Sequence, residues 1–176
     1  GAPADVLATA STSTMDTAVA ELGDDGGLPR PQPFASSSMI LAVPRANSAG
    51  VRSLADLERE DVTFALCEPQ VPCGAAAMRV LENAGVGAQP VTLEKDVTAV
   101  LLKVRGDEVD AGLVYVTDID DTVTCIALPR EVNARTTYPI LALPDAPNTE
   151  AAAAFTALVL SEEGRTILAS HGFDAP

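Results

Sequence analysis

Apolar residues along this chain fall in short runs, separated by turns rich in Gly, Pro, Asp and Asn. Residues 6–10 follow a Pro-containing turn and read as a strand. Ser11 and Ser13 supply capping hydroxyls, and Met15, Val19 and Leu22 line one side of a helix over residues 15–22. Residues 23–33 carry Gly, Asp and Pro and predict a loop. Residues 39–43 form an apolar run closed by Pro44, which predicts a buried strand. Ser53 and Asp56 have the spacing of a capping box and predict a short helix. A strand over 62–66 leads into a turn marked by Pro69 and Pro72, then a helix over 75–81 stopped at 83–85. Residues 90–93 are strand-like. A helix follows from Asp96 or Thr98, with Val97, Val100, Leu101 and Val104 as its apolar stripe and Gly106 as its stop.

Residues 111–115 form a further strand. The middle of the chain therefore alternates strand and helix, the pattern of a parallel α/β layer. Strand-like runs at 122–127 and 138–143 and helical patterns at 148–160 and 162–170 complete the chain. That tail suits a return to a first lobe.

Composition narrows the choices. The chain has 176 residues, enough for one good core or two small lobes. With 3% aromatics and no Trp, its core must be built from aliphatic side chains. No apolar run reaches the length of a membrane-spanning helix. The formal net charge of −14 argues against a nucleic-acid partner, which would require a basic face. It leaves room for an anionic ligand held by backbone N–H groups and hydroxyls, with nothing gained from long-range steering. The chain opens as a turn running into a strand, so no signal peptide is expected at its start.

Three places match the rule that ligands of open α/β sheets sit beyond the strands' carboxyl ends, against helix N-termini. The first is 67–74, where Gly74 allows close approach and first-turn N–H groups point outward; a plain strand-to-helix connection is its ordinary alternative. The second is the helix start at 94–97, where Asp96 also suits a simple N-cap. The third is Tyr115, which offers a hydroxyl at a strand end or a half-buried core ring. Of three cysteines, Cys67 and Cys73 flank the Pro-rich turn and are candidates to pair, leaving Cys125 free. Pairing with Cys125 and three buried thiols are the alternatives. No metal site is expected from a single histidine, His171, which suits a helix-end cap. Hydrolase, phosphate-loop and metalloprotease motifs are absent. Cys73 as an activated nucleophile lacks an identifiable partner.

An ordered set of motifs then gains weight. It comprises Ala2-Pro3-Ala4-Asp5-Val6, Pro33-Phe34-Ala35, Leu41-Ala42-Val43-Pro44 and Ser53-Leu54-Ala55-Asp56-Leu57. It continues through Cys67-x-Pro69-x-Val71-Pro72-Cys73-Gly74, Glu94-x-Asp96-Val97 and Ala111-Gly112-Leu113-Val114-Tyr115-Val116-Thr117-Asp118. It ends with Tyr138-Pro139-Ile140 and Gly172-Phe173. Together they resemble the molybdate-binding proteins of ABC importers, nearly end to end.

The resemblance implies an α/β fold of the periplasmic-binding-protein type II class, a two-lobed sandwich with hinge strands. Residues 1–43 would form part of lobe 1, 44–118 lobe 2, and 119–176 the hinge return and C-terminal helices. It implies an extracytoplasmic, monomeric receptor for molybdate or tungstate that delivers to a membrane permease, with no cofactor and no catalysis. The oxyanion would accept hydrogen bonds from the backbone N–H groups of Cys73 and Val97 and from the Tyr115 hydroxyl. If Cys67 and Cys73 pair, their bridge would fix the anion loop. Two departures stand out. The family's two ligand serines lie upstream of the Ala2-Pro3-Ala4-Asp5 motif and have no counterpart here. Losing two such donors, at ~1.5–3 kcal/mol each, predicts weaker binding by this chain alone. Ser37 stands where the family shows an Asn, and is expected to serve as a strand-entry hydroxyl. The alternative function is the effector-sensing domain of an oxyanion-responsive transcription regulator, which uses the same fold.

Overall fold

The computed structural model describes residues 3–23 and 28–176. Residues 24–27 of the expected loop lie outside it. The chain forms two compact units, Gly1–Ser37 with Thr136–Pro176, and Ser38–Arg135. The resemblance implies lobe boundaries at 43/44 and 118/119; the compact units divide at 37/38 and 135/136, with β2 (Gln32–Pro44) running through the first division and its residues 41–44 pairing with β6 (Val123–Ile126).

The discontinuous unit begins with β1 (Val6–Ala8), antiparallel to β7 (Arg135–Ala142) in the register Val6↔Ala142, Leu7↔Leu141. Helix α1 (Thr12–Leu22) starts three residues before the expected point because the Ser11 hydroxyl caps the Thr14 N–H at 3.1 Å. Met15, Ile140, Leu141 and Ala152 are buried in this unit. Helices α4 (Thr149–Leu160) and α5 (Glu162–Ser170) follow β7, and His171 is the C-cap of α5. Ser36 exchanges backbone hydrogen bonds with Asp174, while the Phe173 and Tyr138 rings pack edge-to-face with centroids 5.4 Å apart. These contacts hold the Gly172-Phe173 motif in place.

In the Ser38–Arg135 unit, β2 lies antiparallel to β5 (Ala111–Tyr115), and β3 (Phe64–Cys67) runs parallel to both β5 and β4 (Thr92–Glu94). Helix α2 (Pro72–Ala84) connects β3 to β4, and α3 (Val97–Arg105) connects β4 to β5. These are two strand–helix–strand units, as the alternating pattern predicts. The core is aliphatic: Leu41, Ala65, Leu66, Val80, Val100 and Leu113 are fully buried. Strands β3 and β5 are buried along their whole lengths, which accounts for their continuous apolar sequence. A Cβ on Gly112 would come within 2.7 Å of Val100 Cγ1, so the absent side chain lets α3 settle on β5.

Three local expectations change. Strand β2 begins at Gln32, so Ser37 is an interior strand residue, 1% exposed, and not a strand-entry hydroxyl. The Ser53 capping box exists but introduces a 3-10 turn, Leu54–Glu58. Helix α2 begins at Pro72, which brings Cys73 inside its first turn.

Candidate functional site

Because β3, β4 and β5 are parallel, their carboxyl ends share one edge of the sheet. Cys67 ends β3, Glu94 ends β4 and Tyr115 ends β5, with Cys67 and Glu94 paired in register. The chain enters α2 and α3 from that edge. Cys73 is the second residue of α2, and Val97 is the first residue of α3. All three candidate ligand residues therefore belong to the same edge of the same unit.

The α2 start can be accounted for amide by amide. A helix leaves the N–H groups of its N-cap and first three residues without intrahelical partners. At α2 these belong to Val71, Pro72, Cys73 and Gly74. The Val71 N–H donates to the Glu68 carbonyl at 3.1 Å, and Pro72 has no N–H. Val71 has no side-chain oxygen to act as a cap, and the Ala75 N–H already bonds the Val71 carbonyl at 3.0 Å. The Cys73 and Gly74 amides remain, both at the positive end of the helix dipole. The sequence marks Gly74 for close approach but does not mark it as a donor. Pro72, favoured at the first helical position, is the signal that would have located the helix start.

Gly74 also fixes where this turn sits. A Cβ there would lie 2.0 Å from the Glu68 carbonyl oxygen and 2.7 Å from that of Cys67. Only glycine lets the first turn of α2 rest directly on the end of β3. The Cys67 and Cys73 sulfurs are joined in a disulfide, with Cα atoms 5.8 Å apart, across the same contact. Of the alternatives open in the sequence, this pairing is the one formed, and Cys125 is free. The Cys73 sulfur is thus not a thiolate nucleophile. Burial, followed by the nearby Asp120 charge, pushes the Cys125 thiol up, which disfavours its reactive form.

At α3, the Asp96 carboxylate caps the Ala99 N–H at 2.8 Å, leaving the Val97 and Thr98 amides on the outer turn. This cap brings a negative charge to the same helix end. Tyr115 is 5% exposed, and its N–H donates to Asp118 Oδ2 at 3.1 Å. Burial raises the Asp118 carboxyl above its ordinary range, and the bond from Tyr115 partly opposes that shift. Among the described residues, no group of three or more His, Cys, Asp and Glu residues has a metal-binding arrangement. A cavity of about 330 Å³ in the discontinuous unit is lined by apolar residues including Phe34, Ile140, Phe155 and Leu158. Such a lining offers an oxyanion nothing to bind.

The chain matches the family described as bacterial extracellular solute-binding protein over residues 1–174. It belongs to that family. The molybdate-binding protein ModA of Mycobacterium tuberculosis strain H37Rv is 38% identical over 179 residues, spanning 100% of this chain and 67% of the relative. A solved substrate-binding domain from Clostridium difficile is 26% identical, with a TM-score of 0.76, covering 100% of this chain and 79% of that one. The periplasmic molybdate-binding protein of Azotobacter vinelandii shares the fold, with a TM-score of 0.80, 17% identity and coverage of 100% and 80%. The fold is thus that of the type II periplasmic-binding proteins. Membership places the chain among solute-binding proteins rather than enzymes. None of its described helices is long and apolar enough to cross a membrane.

Proposed function

We propose that this solute-binding protein captures a tetrahedral oxyanion, molybdate or tungstate, outside the cytoplasm and delivers it to the membrane permease of an ABC importer. The backbone N–H groups of Cys73 and Val97 and the Tyr115 hydroxyl donate to the anion. The observation carrying this reading is the uncapped start of α2, where Cys73 and Gly74 present two amides at the positive end of a 13-residue helix. A relative named for molybdate, 38% identical over the whole of this chain and 67% of its own length, supports the choice of anion.

A site made of donors suits a fully deprotonated oxyanion. Molybdate and tungstate accept at every oxygen, whereas the protonated form of phosphate would bring an O–H against N–H donors. The chain's −14 charge gives no attraction at long range, so affinity comes from short contacts. Hydrogen bonds to a charged partner contribute about 1.5–3 kcal/mol each, making three worth several orders of magnitude in Kd.

Calorimetric titration with molybdate, tungstate, sulfate and phosphate tests the reading. Molybdate and tungstate should bind alike and more tightly than the other two. Sulfate binding more tightly than molybdate would overturn the assignment.

A further inference from the structure

Among the described residues, four of the five α-helices have a side-chain N-cap: Ser11 for α1, Asp96 for α3, Asn148 for α4 and Ser161 for α5. Helix α2 has none, and it is the helix carrying the Cys67–Cys73 disulfide in its first turn. An ordinary cap holds a first turn by accepting from the amide of the second or third residue. In α2 those amides belong to Cys73, one of the proposed donors, and Gly74, the uncapped amide beside it. The disulfide secures the same turn to the end of β3 without using either donor.

We propose that the Cys67–Cys73 disulfide replaces the cap of α2, making oxyanion affinity dependent on the redox state of the pair. This inference rests on the proposed function. Cys67 and Cys73 are 1% and 6% exposed, so the bridge lies within the packing of the turn. Gly74 leaves the turn no slack against the Glu68 carbonyl. Two unbonded thiols need more room than one disulfide, so reduction must move the turn that aims the Cys73 and Gly74 amides. The reaction transfers two electrons and two protons from a dithiol such as dithiothreitol, which closes to its cyclic disulfide. The S–S bond breaks and two thiols form. A protein still reduced before export would bind oxyanion poorly and become competent on oxidation.

Two measurements test the proposal. In the first, molybdate is titrated into oxidised and dithiothreitol-reduced protein, with far-UV circular dichroism recorded for both. Reduction should weaken binding at least tenfold while the spectrum is retained. By linkage, saturating molybdate should then move the thiol–disulfide midpoint by about 30 mV toward more reducing potentials for each tenfold difference. In the second, Val71→Ser supplies the missing cap hydroxyl in oxidised protein. Its melting temperature should hold or rise while molybdate affinity falls at least tenfold, an outcome a purely structural bridge would not produce. Equal affinity in the two redox states overturns the proposal, as does loss of fold on reduction or undiminished binding by Val71→Ser. Absence of molybdate binding by oxidised wild-type protein refutes the functional reading and this inference with it.

Discussion

Gly74→Ala places one methyl group where the chain has no room for it. The new Cβ would sit 2.0 Å from the Glu68 carbonyl oxygen, 2.5 Å from its carbon and 2.7 Å from the Cys67 carbonyl oxygen. All three are backbone atoms, so no rotamer change relieves the clash. The first turn of α2 must lift from the end of β3. Overpacking of this kind costs about 1–3 kcal/mol, or roughly 2–10 °C in melting temperature for a chain of this size. The lift also turns the Cys73 and Gly74 amides away from the edge. Losing one hydrogen bond to a charged ligand, at about 1.5–3 kcal/mol, weakens Kd roughly 10- to 100-fold. Gly164→Ala is the control. Its Cβ also meets backbone, 2.3 Å from the Leu158 carbonyl oxygen, but in the other unit. Thermal melts and molybdate calorimetry on both variants should show two destabilised proteins, with only Gly74→Ala losing affinity beyond what unfolding explains. An unaltered affinity in Gly74→Ala would refute the claim that this turn aims the donors.

Two further predictions concern carboxylates at the same edge. Asp96→Asn keeps a capping oxygen for the Ala99 N–H but removes a negative charge beside the Val97 amide. Molybdate affinity should rise severalfold, most at low salt; calorimetry at two ionic strengths that finds no gain would separate Val97 from the ligand. Asp118 has a raised folded-state pKa, so the folded state favours its protonated form. Its contribution to stability is greatest below the unfolded value of 3.8 and is lost as pH rises through the folded value. Asp118→Asn should therefore gain in melting temperature relative to wild type across that rise, then hold a constant advantage. A difference independent of pH would dismiss burial as the cause.

The parts most legible in the sequence are those where local pattern and tertiary demand agree. Strands β3 and β5 are buried along their length, so Phe64-Ala65-Leu66-Cys67 and Ala111-Gly112-Leu113-Val114-Tyr115 carry unbroken apolar runs. The α3 stripe is legible because Val100, Leu101 and Val104 are its buried residues. The first half of β2 is hidden because Pro33 and Ser36-Ser37-Ser38 look like loop chemistry. Ser36 and Ser37 are nevertheless buried, with Ser36 held in a single antiparallel bridge by Asp174, distant in sequence. The α2 start lies three residues before the position the sequence predicts because Pro72 suits both a turn and a first helical position. Cysteine pairing was undecided on spacing; the meeting of a strand end with a helix start decides it. The three candidate donors were visible individually as helix starts and a strand end. Their shared edge follows from the parallel register of β3 with β4 and β5, which single motifs do not encode.

The most direct test of the central claim is to follow the backbone amides of isotope-labelled oxidised protein by NMR during molybdate titration. The Cys73 and Val97 N–H resonances should shift downfield saturably, in step with the calorimetric isotherm, and become protected from exchange. Saturable molybdate binding that leaves both amides unmoved would place the anion elsewhere and contradict the account.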